Sequence, residues 1–144
     1  MNKRGKAPQP NLKASRELSP IVEQKISITL AHLTTNKNFT FEFFDKNFRS
    51  KSAALEQFVE FLQRLTAKKM SEVVTLSKFD ECGFETLPFE QINFTPNGIA
   101  LSRNAKIHVF RFGNGKFRLL GFFERQQPVL NVIGFDFDYS AYKH

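Results

Sequence analysis

Apolar residues change their period twice along the chain, and the changes mark out the elements. Ile26, Ile28 and Leu30 alternate with Ser27 and Thr29, the two-residue period of a half-buried strand. Thr34 to Asn38 supply turn residues. Phe39, Phe41 and Phe43 then alternate with Thr40 and Glu42 and predict a second short strand, a hairpin partner for the first. Beyond Ser50 or Ser52, either of which can cap a helix, the period lengthens. Leu55, Phe58, Val59, Leu62 and Leu65 recur at helical spacing through about Lys68, with Phe61 widening the stripe and Glu56, Glu60, Gln63 and Arg64 on the other face. A shorter helix is predicted from about Ser71 to Leu76. Residues 77–104, punctuated by Gly83, Pro88, Pro96 and Gly98, read as loop.

The last third returns to strand patterning. Lys106 to Phe112 and Lys116 to Phe123 flank Gly113-Asn114-Gly115, and Asn-Gly between two such runs is a strong hairpin signal because both turn positions need positive φ. Glu124 to Pro128 connect to a third strand, Val129 to Phe135. The pattern predicts an α+β fold: a small antiparallel sheet, with a C-terminal three-strand meander, packed against one or two helices. Residues 1–20 differ, holding three of the six prolines together with Lys3, Arg4, Lys6, Lys13 and Arg16 and no apolar period. A disordered basic arm is expected over 1–20 and a single α+β domain over 21–144.

Strand register carries a chemical consequence. If Asn114-Gly115 forms a two-residue turn, residues whose numbers sum to 229 face each other. Phe112 then opposes Phe117 and Phe110 opposes Leu119 on what is expected to be the core face. On the other face Arg111 opposes Arg118. Like charges in that position destabilise a sheet by up to about 1 kcal/mol unless an anion sits between them. Two anions fit: an internal carboxylate, from Asp136 or Asp138 beyond the third strand, or a phosphate, for which paired guanidiniums are well-shaped receptors.

Composition narrows the chemistry. The chain has 144 residues, 21 Lys and Arg against 14 Asp and Glu, and a net charge of +7. The charge is uneven: residues 1–25 carry +4 and residues 100–125 carry +5, with −4 over 72–94 between them. Clustered positive charge points to an anionic partner. No apolar run approaches the roughly 20 residues that span a bilayer, and the polar start lacks a secretion signal, so no membrane contact and a cytoplasmic protein are expected. A single Cys82 rules out an intramolecular disulfide, and His32, His108 and His144 are scattered without metal-ligand spacing. Asp136-Phe137-Asp138 offers two carboxylates, a weak pattern for a divalent ion and a natural one for salt bridges or strand termination. No metal or cofactor is expected. Cys82, beside Glu81, lacks the cationic setting that activates a thiol. Gly113-Asn114-Gly115-Lys116 is a hairpin turn and not a phosphate loop. The 18 phenylalanines fall mostly at core spacing; Tyr139 and Tyr142 sit in a short polar terminus.

With these residues set out, the stretch from Lys106 to Tyr142 resembles the C-terminal sheet of RelE/ParE-like toxins. The shared pattern is Val109-Phe110-Arg111-Phe112, Lys116-Phe117-Arg118-Leu119-Leu120, Val132-Ile133-Gly134 and a terminal Tyr142. The whole chain, through Gly83-Phe84-Glu85-Thr86-Leu87-Pro88 and the Gly134-Phe135-Asp136-Phe137-Asp138-Tyr139 ending, is also similar to a family carried on bacterial mobile genetic elements. The toxin resemblance implies RNA as partner, including messenger RNA on the ribosome, and an antitoxin protein. It further implies metal-independent endoribonuclease chemistry without a cofactor. Basic side chains would offset charge at the scissile phosphate while a 2′-hydroxyl attacks. By position, Arg111, Arg118 and Tyr142 become the catalytic candidates, and Lys106, Lys116 and Tyr139 the RNA contacts. Two departures count against catalysis: Asp136 and Asp138 stand where such toxins carry further basic residues, and the chain is longer than theirs. The alternative expectation is a non-catalytic module that binds nucleic acid or protein for a mobile element.

Overall fold

Turn chemistry decides where the regular elements begin. In the computed structural model, which describes residues 23–73, 75, 83–125 and 127–143, the element order is β1 (Ser27–Thr29), α1 (Phe48–Thr66), α2 (Met70–Val73), β2 (Phe84–Pro88), β3 (Lys106–Phe112), β4 (Phe117–Phe123) and β5 (Val129–Asp136). The expected arm over 1–20, Cys82 and His144 lie outside the described residues. The strands form one five-stranded sheet in the order β1-β5-β4-β3-β2. Only β1 runs parallel to its neighbour; β2, β3, β4 and β5 pair antiparallel. The fold is α+β, with the expected meander at its centre.

The hairpin forms as its sequence dictates. Asn114 (φ 58°) and Gly115 (φ 80°) both occupy the left-handed region, and Lys116 N–H donates to Gly113 O at 3.2 Å, closing a two-residue turn. The register follows: Phe112 faces Phe117, Arg111 faces Arg118, Phe110 faces Leu119. The β4–β5 ladder shifts register between Leu120 and Gly121, a bulge with Asn131 O packed against the bare Cα of Gly121.

Both faces of the sheet are core, where one was expected. Against the first face α1 buries Ala54, Phe58, Phe61 and Leu65 over Phe110, Phe112, Leu119, Leu130, Val132 and Phe135. Against the second, Phe39, Ile92, Phe94, Ala141 and Tyr142 cover Ile107, Val109, Leu120 and Ile133. The segment over Phe39–Phe43 is therefore not the expected strand. Asn36 and Thr40 side chains accept from Asn38 N and Glu42 N and wind it into two 3-10 turns, Lys37–Phe39 and Phe41–Phe44. Phe39 enters one core and Phe41 the other, so a period of two here records a chain serving both faces. β1 accordingly pairs with β5 and not with this segment.

Two further expectations change. The cap of α1 is Asn47, whose side chain accepts from Ser50 N at 3.1 Å, so the helix starts ahead of Ser50. Residues 84–88, read as loop, form edge strand β2, which ends at Pro88 where a missing N–H costs nothing on an edge. The short helix expected from Ser71 is the single turn α2. It is tied back by Met70 N–H to Gln24 O at 2.9 Å. Among the described residues, no helix is long and apolar enough to cross a membrane.

Candidate functional site

Four of the six candidate residues converge on the second face of the sheet: the register brings Arg111 and Arg118 together, and the C-terminal segment adds Tyr139 and Tyr142. Arg111 on β3 and Arg118 on β4 face each other, and Asp136 on β5 faces Arg118. Arg118 and Asp136 are buried, at 6% and 1% exposure. Directly opposed residues have Cβ atoms about 5 Å apart, so the repulsion between the arginines is met from β5 by a carboxylate on the same row. Arg111 has its own: its Nη2 lies 3.8 Å from Glu85 Oε2 on β2. The Arg111 stem rests on Gly83, where a Cβ would come within 2.7 Å of Arg111 Cδ.

Tyr142 reaches this row from the C-terminal segment. Burial, then Glu85, and more weakly Asp136 push its hydroxyl above the ordinary tyrosine range, while the Arg118 charge and a hydrogen bond with Arg118 pull the other way. The net direction is upward, so at neutral pH Tyr142 keeps its proton. It can donate a hydrogen bond or a proton but is a poor base. Arg118 Nη1 also donates to Gly115 O at 2.6 Å and Phe117 O at 3.2 Å, which spends the guanidinium on the turn that carries it. The Nε atoms of Arg111 and Arg118 are buried without a hydrogen-bond partner among the described residues.

Tyr139 covers Arg118 from outside. Its backbone is left-handed (φ 63°), uncommon for a residue with a side chain. Ser140 N holds it there by donating to Asp136 Oδ1 (3.0 Å) and Asp138 Oδ1 (3.2 Å). That bend places the Arg118 Cζ 5.4 Å from the Tyr139 ring centroid, a cation–π contact, and leaves the ring 53% exposed. Asp138 is thus a backbone brace; the carboxylates facing the arginines are Asp136 and Glu85. Among the described residues no group of three His, Cys, Asp or Glu side chains could hold a metal ion.

An open cleft of about 900 Å³ adjoins the tyrosines, lined by Glu90, Gln91, Asn93, Tyr139, Ser140, Tyr142 and Lys143. Asn93 Nδ2 donates to Ser140 O (2.9 Å) and Asn93 N to Ala141 O (2.8 Å), tying the wall after β2 to the C-terminal segment. Lys116 is exposed at the hairpin turn. Lys106 is exposed but stands apart: it begins β3 on the α1 side, about 17 Å along the strand from Arg111. No protein family, curated protein or solved structure matches the chain.

Glu85, Gln91, Asn93 and Lys143 escape a reading of the sequence. Glu85 had no clear signal, since Phe84-Glu85-Thr86-Leu87 does not alternate apolar with polar. The cleft residues had none, since tertiary contacts alone bring residues 90–93 to 139–143.

Proposed function

We propose that the chain is a RelE/ParE-like protein that binds RNA and does not cut it. The observation that carries this reading is that each arginine of the row has a carboxylate beside it. Arg118 is buried and faces Asp136, Arg111 is paired with Glu85, and Tyr142 is held protonated. A transition state with extra negative charge at phosphorus needs cations that reach it, and a 2′-hydroxyl needs a base. Neither is on offer here. RNA contact falls instead to groups that solvent reaches: Lys116 at the turn, Lys143 in the cleft, and the Tyr139 ring, on which a base can stack.

Convergence of Arg111, Arg118 and Tyr142 is the observation that favours the cleaving alternative, and one experiment separates the two. A fluorescent single-stranded RNA is titrated with protein in metal-free buffer, and the same samples are run on a denaturing gel. The expected outcome is saturable binding with the RNA intact, weaker at higher salt. The salt slope falls by about 1 on Lys116→Ala. Cut RNA, with cutting lost in Arg118→Ala, would establish the nuclease. Absence of binding would end both readings.

A further inference from the structure

Helix α1 has two apolar faces, and the sheet uses one. Ala54, Phe58, Phe61 and Leu65 are buried, at 9% exposure or less. At 100° per residue, Phe48, Ser52, Leu55 and Val59 form a second line, about 120° around the helix from the first. That line points outward: Phe48 is 80% exposed, Leu55 40% and Val59 52%. Single exposed apolar residues need no explanation, but three in register along three turns constitute a face.

We propose that this face is the interface of a homodimer in which two copies of α1 pack antiparallel. The face is self-complementary. A two-fold axis beside residues 53 and 54 pairs positions whose numbers sum to 107. Phe48 of one copy then meets Val59 of the other, and Leu55 meets Ser52, so each large side chain has an apolar or small counterpart. Charge selects the direction. Arg49 lies on the outward flank near the start of α1, and Glu56 and Glu60 lie on the same flank further along. An antiparallel pair sets this flank of one copy beside the same flank of the other and brings Arg49 of each copy near Glu60 of the other; a parallel pair would put the flank on opposite sides of the seam and leave Arg49 without that partner. Lys51 takes no part, being paired with Asp45 at 2.8 Å.

The rest of the molecule points the same way. Two chains of +7 repel each other, but α1 carries three basic and two acidic side chains and is the nearly neutral face through which they can approach. An anionic lipid surface is a worse occupant because Glu56 and Glu60 flank the stripe. Contact over three helical turns lies at the small end of specific interfaces, so a dimer dissociating on the order of micromolar to tens of micromolar is expected.

Sedimentation equilibrium of the full RNA-free chain, from about 5 to 500 µM, tests this. The expected mass rises with concentration from the 16.6 kDa monomer towards twice that value. Val59→Asp should abolish the rise while leaving circular dichroism and Tm unchanged, because Val59 faces solvent in the monomer. Arg49→Glu should weaken association about tenfold, and Arg49→Glu with Glu60→Arg should restore it. A monomer throughout, or a dimer indifferent to Val59→Asp, would overturn the proposal. So would failure of the double charge reversal to restore association. Co-sedimentation of a still-monomeric protein with anionic vesicles would give the stripe to a lipid surface and overturn it equally.

Discussion

Gly134 shows how little room single residues have in this sheet. A Cβ there would lie 2.5 Å from two atoms of the Phe94 ring, and that ring is itself stacked on Phe39 with centroids 4.5 Å apart. The neighbour cannot swing away without disturbing the second core, so Gly134→Ala should destabilise by about 1–3 kcal/mol, read as a lower urea midpoint at unchanged m. His108 sets a pH limit. Burial against Phe84 and Phe123, and then the Lys106 charge, lower its pKa from 6.5 to about 4. A depressed histidine pKa means that the unfolded chain binds the proton more readily. The stabilisation is complete above about pH 6.5 and is lost as pH falls from there towards 4. With solvent screening allowed for, the loss is on the order of 1–3 kcal/mol. Urea midpoints measured between pH 7 and 4 should fall in the native chain and stay flatter in His108→Phe over the same window.

At the scale of elements, α1 depends on a cap outside its apolar pattern. Asn47→Ala leaves the first-turn N–H of Ser50 without its side-chain acceptor and should cost about 1 kcal/mol, visible in thermal unfolding as a Tm lowered by a few degrees. The elements also show which parts of the fold can be read from the sequence. Local rules dictate the β3–β4 hairpin: Asn114-Gly115 fixes the turn, the turn fixes the register, and the register puts Arg111 against Arg118 before any tertiary contact is known. The helix was equally legible, although its buried line runs through Ala54 and Phe61, and Leu55 and Val59 face outward. What failed was the inference from alternation to strand at Phe39–Phe43. Two short polar side chains, Asn36 and Thr40, bend that backbone, and the phenylalanines divide between two cores. Strand β2 was hidden by its shortness and its proline. The candidate site was half legible for the same reason. Its arginines belong to the hairpin, whereas Glu85 and the cleft depend on pairings between distant segments.

At the scale of the whole molecule, what matters is where the positive charge is used. The hairpin region carries +5, yet its two central arginines are turned into the sheet against Glu85 and Asp136, and Tyr139 and Tyr142 close over Arg118. Arg118 and Asp136 are the buried members of the row, and a buried charge stripped of its compensation costs about 3–5 kcal/mol; Arg111 and Glu85, partly exposed and 3.8 Å apart, contribute less. The row thus fastens the C-terminal segment to the hairpin, and the RNA contact proposed above would fall to the exposed cations and the Tyr139 ring. Arg118→Met tests that division most directly, with stability and RNA affinity measured on the same preparation. The account predicts a large fall in urea-unfolding free energy, while the folded fraction binds RNA within about twofold of the native chain. Unchanged stability with RNA affinity lowered tenfold or more would contradict it, and would make Arg118 a phosphate ligand.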